Sequence, residues 1–150
     1  VQQREIFDLT MQGKVLTEKE IPEQIYAKKE VLIDEHLMLE IANNLEKVMK
    51  EEEPYLNKNL SLNLLADKLN SRTHIVSYVI NSHYNVNFYN YINNFRFDYC
   101  KALMKNPKKQ PLSIEGIALE GGFGSKSTFN TLFKKQSGMT PTQYKNTNNQ

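Results

Sequence analysis

Cysteine is nearly absent: Cys100 is the single one in 150 residues, with 5 prolines and 6 glycines. One thiol excludes a disulfide framework and any zinc site built on three or four cysteines, and it fits a reducing compartment. His36, His74 and His83 have no ligand spacing to one another, so neither a metal nor another cofactor is expected. No apolar run approaches the roughly 18 residues that a membrane span requires. The low glycine and proline content excludes a collagen-like chain. No stretch alternates with period two, so strands are not expected. A start at Val1, with neither methionine nor a signal-peptide pattern, leads us to expect a piece of a longer chain.

What is present describes a globular domain. Hydrophobic residues make up 39% and mean hydropathy is −0.60, enough apolar material for a core. The formal net charge of +2 conceals a split. Residues 1–56 hold 7 Lys/Arg and 13 Asp/Glu, a net of −6, whereas residues 57–150 hold 12 Lys/Arg and 4 acids, a net of +8. A basic carboxyl-terminal part suits a polyanionic partner, because Lys and Arg near phosphates release condensed counterions. Solvated basic helix faces would give the same count.

Periodicity predicts an all-α fold of about seven helices. Residues 1–35 mix polar and apolar residues around Gly13 and Pro22 and read as a connecting segment. A helix is expected from His36 to Glu53, with Met38, Ile41, Leu45, Val48 and Met49 on one face and Pro54 as its stop. Its terminal Glu51-Glu52-Glu53 opposes the helix dipole. Ser61 caps a short helix from Leu62 to Leu69, which Asn70 ends in the left-handed conformation. A second helix spans Thr73 to Ser82, with Val76, Val79 and Ile80 inward. The longest pattern, Asn87 to Met104, aligns Phe88, Tyr91, Ile92, Phe95, Tyr99 and Leu103 in one stripe. Ser113 and Ser125 cap two further helices separated by Gly121-Gly122, and Pro141 opens a last turn through Tyr144.

A repeat carries the functional argument. Ser61-Leu62-x-x-Leu65-Ala66 returns 52 residues later as Ser113-Ile114-x-x-Ile117-Ala118. Val76-x-x-Val79-Ile80 returns 53 residues later as Phe129-x-x-Leu132-Phe133, with one extra residue in the second bend. Each copy is a short capped helix, a tight bend and a second helix, with alanine where the helices cross. That is the helix-turn-helix layout, whose second helix can enter a DNA major groove. A plain bundle of helix hairpins would show the same elements, and the basic half tips the balance toward DNA.

The stretch SIEGIALEGGFGSKSTFNTLFKKQSGMTPTQYK (Ser113 to Lys145) resembles the second helix-turn-helix of the AraC/XylS family of bacterial transcription regulators. The likeness lies in Ile117-Ala118, Gly122-Phe123, Ser125, Phe129, Leu132-Phe133-Lys134-Lys135, Gly138, Thr140-Pro141 and Tyr144. LSLNLLADKLNSRTHIVSYVIN and FYNYINNFRFDYCKALM resemble the family's first unit and its connecting helix. The resemblance covers about His36 to Lys145. PYLNKNLSLNLLADKL and VINSHYNVNFYNYIN are similar to a subgroup in which the domain ends a larger sensor protein, some members being membrane-anchored.

The resemblance implies a DNA-binding domain over 36–146, with a first unit at 61–83, a connecting helix at 87–104, a second unit at 113–137, and a tail at 147–150. Two recognition helices would enter successive major grooves about 34 Å apart. His74, Ser77 and Tyr78 fall where relatives reach base edges from the first unit; Lys126, Ser127, Asn130 and Thr131 do so from the second. Arg72, Ser125, Lys134 and Lys135 suit phosphate. The family further implies double-stranded DNA and RNA polymerase as partners, transcription activation, an upstream sensor, dimerisation through upstream parts, and a cytoplasmic domain. Two departures stand out. Arg72 replaces a capping residue, so the helix is expected to start at Ser71 or to lack a cap. Ser77 is shorter than the family's Arg or Gln, which casts the first unit as a clamp.

Other residues invite functional readings. Arg96 matches a family arginine and is expected to be structural, paired with a nearby acid. Cys100 beside the apolar stripe is expected to be buried rather than reactive. The 8 Tyr and 7 Phe sit mostly at core spacing and not as a base-stacking platform. Gly121-Gly122-x-Gly124 lacks the preceding strand and the lysine of a phosphate loop. An enzyme such as a DNA-repair protein fails for want of a catalytic set. A helical module that meets an acidic protein remains the competing class, and the acidic segment before Leu56 is either a mask over the basic face or a linker.

Overall fold

The computed structural model describes residues 35–109 and 111–148; apart from Glu35, the connecting segment expected at 1–35 lies outside the described residues. Among those described are seven α-helices, two short 3₁₀ turns and no strand. They are α1 (Glu35–Glu51), α2 (Leu62–Lys68), α3 (Thr73–Tyr84), α4 (Phe88–Lys105), α5 (Ile114–Glu120), α6 (Lys126–Ser137) and α7 (Pro141–Thr147). The 3₁₀ turns cover Pro54–Leu56 and Pro107–Lys109. No described helix is long and apolar enough to cross a membrane.

The expected caps form. Ser61 Oγ accepts from the Leu64 N–H (3.2 Å), Ser113 Oγ from Gly116 (3.0 Å) and Ser125 Oγ from Thr128 (3.1 Å). Asn70 turns left-handed at φ 47°, as anticipated. Helix α1 stops at Glu51, short of the expected Glu53, since a residue before proline is driven out of the right-handed helical region and Glu53 sits at φ 48°. Two of the three glutamates find partners beside the helix end. Glu52 pairs with Lys68 at 2.6 Å, and Glu53 accepts from the Tyr55 hydroxyl at 3.0 Å. Helix α7 outruns the expected turn and reaches Thr147, because Thr140 and Gln143 form a reciprocal capping box around Pro141.

Helix α4 lies between two cores. Tyr91, Ile92, Phe95 and Tyr99 face Leu45, Met49, Leu65, Val76 and Ile80. Phe97, Cys100, Leu103 and Met104 face Ile117, Phe123, Phe129 and Phe133. The single stripe expected for α4 is therefore half of the arrangement: Asn93, Phe97, Cys100 and Met104 make a second buried line along the same helix. A third small cluster sets Ile41 and Ala42 of α1 against Val79 of α3.

Cys100 is fully buried and its thiol donates to the Ile117 carbonyl at 3.5 Å. A Cβ on Gly121 would overlap its sulfur, which explains a glycine where α5 ends. Burial pushes the thiol up to about 12 from an ordinary 9.0, with the Arg96 charge pulling the other way. The neutral thiol thus adds stability that is complete below pH 9 and lost as pH rises through 12. At pH 8 a thiol reagent should leave the native chain unmodified and label it stoichiometrically in urea. Rapid native labelling would contradict this burial.

Candidate DNA-binding surface

The repeat seen in the sequence is a structural repeat. In both units an alanine is buried at the crossing, Ala66 and Ala118, and its carbonyl accepts from the chain five residues on: Ser71 N–H at 3.0 Å, Phe123 N–H at 3.0 Å. Asn70 (φ 47°) and Gly122 (φ 83°) make the same left-handed step between them. The bends then diverge, because Gly124 adds a residue before the Ser125 cap, whereas Arg72 caps α3 directly. In both units the second helix buries one face, Val76, Val79 and Ile80 on α3 and Phe129 and Phe133 on α6, and carries exposed residues elsewhere.

On α6 the division is clean. Phe129 and Phe133 are buried, while Lys126, Ser127, Asn130, Thr131, Lys134 and Lys135 are all exposed. Asn130 follows Lys126, and Lys134 follows Asn130, by one helical turn, so the three line one edge. Helix α6 holds no acidic residue, and neither Lys126, Lys134 nor Lys135 has an ion-pair partner among the described residues. Elsewhere Lys68, Lys101 and Lys109 are tied to carboxylates. The Ser125 hydroxyl is committed to its cap and donates to Thr128 Oγ1 at 2.9 Å, so an anion there would meet backbone N–H groups instead.

The first unit is more constrained. Arg72 and His74 are exposed, but Ser77 and Tyr78 are half-buried. Asn81, which the sequence reading passed over, lies one turn beyond Ser77 and donates to its carbonyl at 2.8 Å. Arg72 is the N-cap and offers no capping hydrogen bond, one of the two outcomes anticipated. The helix start is steadied instead by Thr73 Oγ1, which donates to Asn63 Oδ1 of α2 at 3.0 Å. Arg72→Ser should therefore raise stability by about 1 kcal/mol, read from urea unfolding. A loss of stability would mean that the arginine makes contacts beyond the cap.

Arg96 departs from expectation. Its Nε–H donates to the Tyr55 carbonyl at 2.7 Å and its Nη2 to the Asn57 carbonyl at 3.0 Å, with no acid in either contact. Two carbonyls from one turn take the place of the expected carboxylate. Burial lowers the guanidinium's pKa from its ordinary value. Burial likewise raises the hydroxyls of Tyr55 (to about 12), Tyr84, Tyr91 and Tyr99, so all four stay neutral near neutral pH. Among the described residues no group of histidines, cysteines and carboxylates could hold a metal.

Two helix pairs, each with an acid-free second helix, form a double helix-turn-helix domain. The family model described as "Helix-turn-helix domain" matches residues 65–147. The chain belongs to the AraC-type helix-turn-helix family, whose domains are the DNA-binding outputs of transcription regulators. The C-terminal domain of the two-component response regulator yesN from Fusobacterium nucleatum is similar at 26% identity and TM-score 0.60, covering 69% of this chain and 96% of its own. The C-terminal domain of AraT, a response regulator from Geobacillus stearothermophilus, shares the fold at 24% identity and TM-score 0.59, over 71% of this chain and 84% of its own. A DNA-binding transcriptional dual regulator from Escherichia coli K-12 shares it at 18% identity and TM-score 0.61, over 73% and 92%. No curated protein matches the chain.

Proposed function

We propose that this domain reads double-stranded DNA sequence-specifically, with α3 and α6 in successive major grooves on one face of the duplex. The observation that carries the proposal is the repeated bend: the same buried alanine, the same hydrogen bond and the same left-handed step recur 52 residues apart, each leading into a helix with exposed polar residues, His74 and Asn81 on α3 and Lys126, Asn130 and Lys134 on α6. Lys126 reaches guanine O6 and N7, Asn130 takes adenine N6 and N7, and the Thr131 methyl meets a thymine methyl, with Ser127 beside them. His74, Ser77 and Tyr78 face bases from the first unit. Arg72, Lys134, Lys135 and the backbone N–H groups behind Ser61 and Ser125 hold phosphates, which fix register without specifying sequence. Because Ser77 and Tyr78 are half-buried, the second unit discriminates and the first clamps. Residues 36–146 are then the DNA-binding domain, and residues 1–35 link it to an upstream sensor in a regulator that meets RNA polymerase in the cytoplasm.

Fluorescence anisotropy on random-sequence duplex over a salt series tests the electrostatic part. Three cations on phosphate predict that log K falls with log salt at a slope of roughly −3. Arg72→Ser should weaken binding to every duplex alike and make that slope shallower by about one. No binding at low salt would refute the proposal and favour a module for an acidic protein.

A further inference from the structure

The two units meet at one joint. The Pro54–Leu56 turn is the root of the first unit, since the chain runs from it directly to the Ser61 cap of α2. Tyr55 anchors that root on α4, its ring stacked on Phe95 at 5.4 Å and edge-on to Tyr99 at 6.3 Å. The bend of the second unit lies against the same root with no side chain between them: a Cβ on Gly122 would overlap the Tyr55 carbonyl and the Leu56 backbone. Arg96 closes the arrangement from the middle of α4. Its two hydrogen bonds go to the carbonyls of Tyr55 in the root and of Asn57, which caps it, and its guanidinium carbon stands 5.9 Å from the centroid of Phe123, the residue after Gly122. A flexible tether between the units would need none of this. One side chain is thus in contact with the root of one unit and the bend of the other.

We infer that Arg96 is a positioning residue that fixes the two recognition helices relative to each other and thereby sets the spacing between DNA boxes that the domain accepts. The inference rests on the two-groove reading above. One added base pair displaces a box by about 3.4 Å along the duplex and rotates it by roughly a tenth of a turn, so a rigid pair of helices rejects it. A pair freed at the joint follows the box around.

The test uses the 150-residue chain, Arg96→Met and Arg96→Lys, with duplexes that carry the two boxes recovered by selection from a random duplex pool, at the optimal spacing or one base pair longer or shorter. The parent chain should prefer its optimum by about tenfold, the loss expected when one unit's contacts are misplaced. Arg96→Met should shrink that preference to under threefold while keeping the parent's affinity for an isolated second box. Arg96→Lys, a point charge in place of the fork, should recover only part of it. A purely structural role would lower the melting temperature and weaken all spacings equally, leaving the preference intact; that result overturns the inference.

A DNA-free measurement separates the joint from the DNA reading. Spin labels on Ser82→Cys and Lys135→Cys report the distance between α3 and α6, while buried Cys100 stays unlabelled. Gly122→Ala, which opens the same joint with Arg96 intact, supplies a second variant. A broader distance distribution in Arg96→Met and Gly122→Ala supports the joint even if the parent chain shows no spacing preference and the two-groove reading fails. An unchanged distribution in both variants overturns it.

Discussion

Phe133→Ala is expected to cost about 3–5 kcal/mol of folding stability. Phe133 is fully buried and is the hub of the second core. Its ring lies 4.9 Å from Phe97 of α4, 5.4 Å from Phe129 of α6 and 5.3 Å from Tyr144 of α7. Removing it leaves a cavity bounded by three helices, and large rings on every side limit how far the walls can collapse. Against the 5–15 kcal/mol typical of a whole domain, that loss is about a fifth of the stability or more. Urea unfolding followed by circular dichroism measures it. A change under about 1 kcal/mol would mean that α6 is not packed as described.

The second large effect falls on binding alone. Lys126→Ala with Asn130→Ala should weaken a specific site by between 30-fold and 1,000-fold, since each base contact is worth about 1–3 kcal/mol and neighbours one turn apart do not add fully. Both side chains are exposed, so folding stability should move by no more than about 0.5 kcal/mol. Affinity for random duplex should fall far less. The matching pair in the first unit, His74→Ala with Ser77→Ala, should cost about tenfold at most, the worth of a single modest contact. Titration of both double variants against one specific site decides the matter. Equal losses would contradict the division into a reading unit and a clamping unit.

These two expectations differ in how plainly the sequence announces them. The serine caps, the Ala66/Ala118 pair and the left-handed Asn70 are local chemistry, and each forms as the sequence predicts. The exposed line on α6 was equally plain, because Phe129, Leu132 and Phe133 mark the inward face at helical spacing. Helix α4 was legible on one side only. A helix buried on two faces has no polar side to set off its apolar one, so Phe97, Cys100 and Met104 stood outside the stripe that Tyr91 and Ile92 defined. On α3 the inward Val79 was plain, but its partners Ile41 and Ala42 of α1 were not, since the contact joins elements far apart in the chain. The partners of Arg96 and Glu52 were hidden too. Arg96 reaches carbonyls 39 and 41 residues away, and Glu52 a lysine 16 residues away, whereas sequence spacing reports only neighbours within a turn or two.

Selection from a random duplex pool, with sequencing of the bound fraction, tests the central claim most directly. Two units held at a fixed joint should enrich a site with two boxes about one helical turn apart, the box under α6 the more sharply defined. A single box, or no enrichment with binding that persists on any duplex, would contradict two-groove reading.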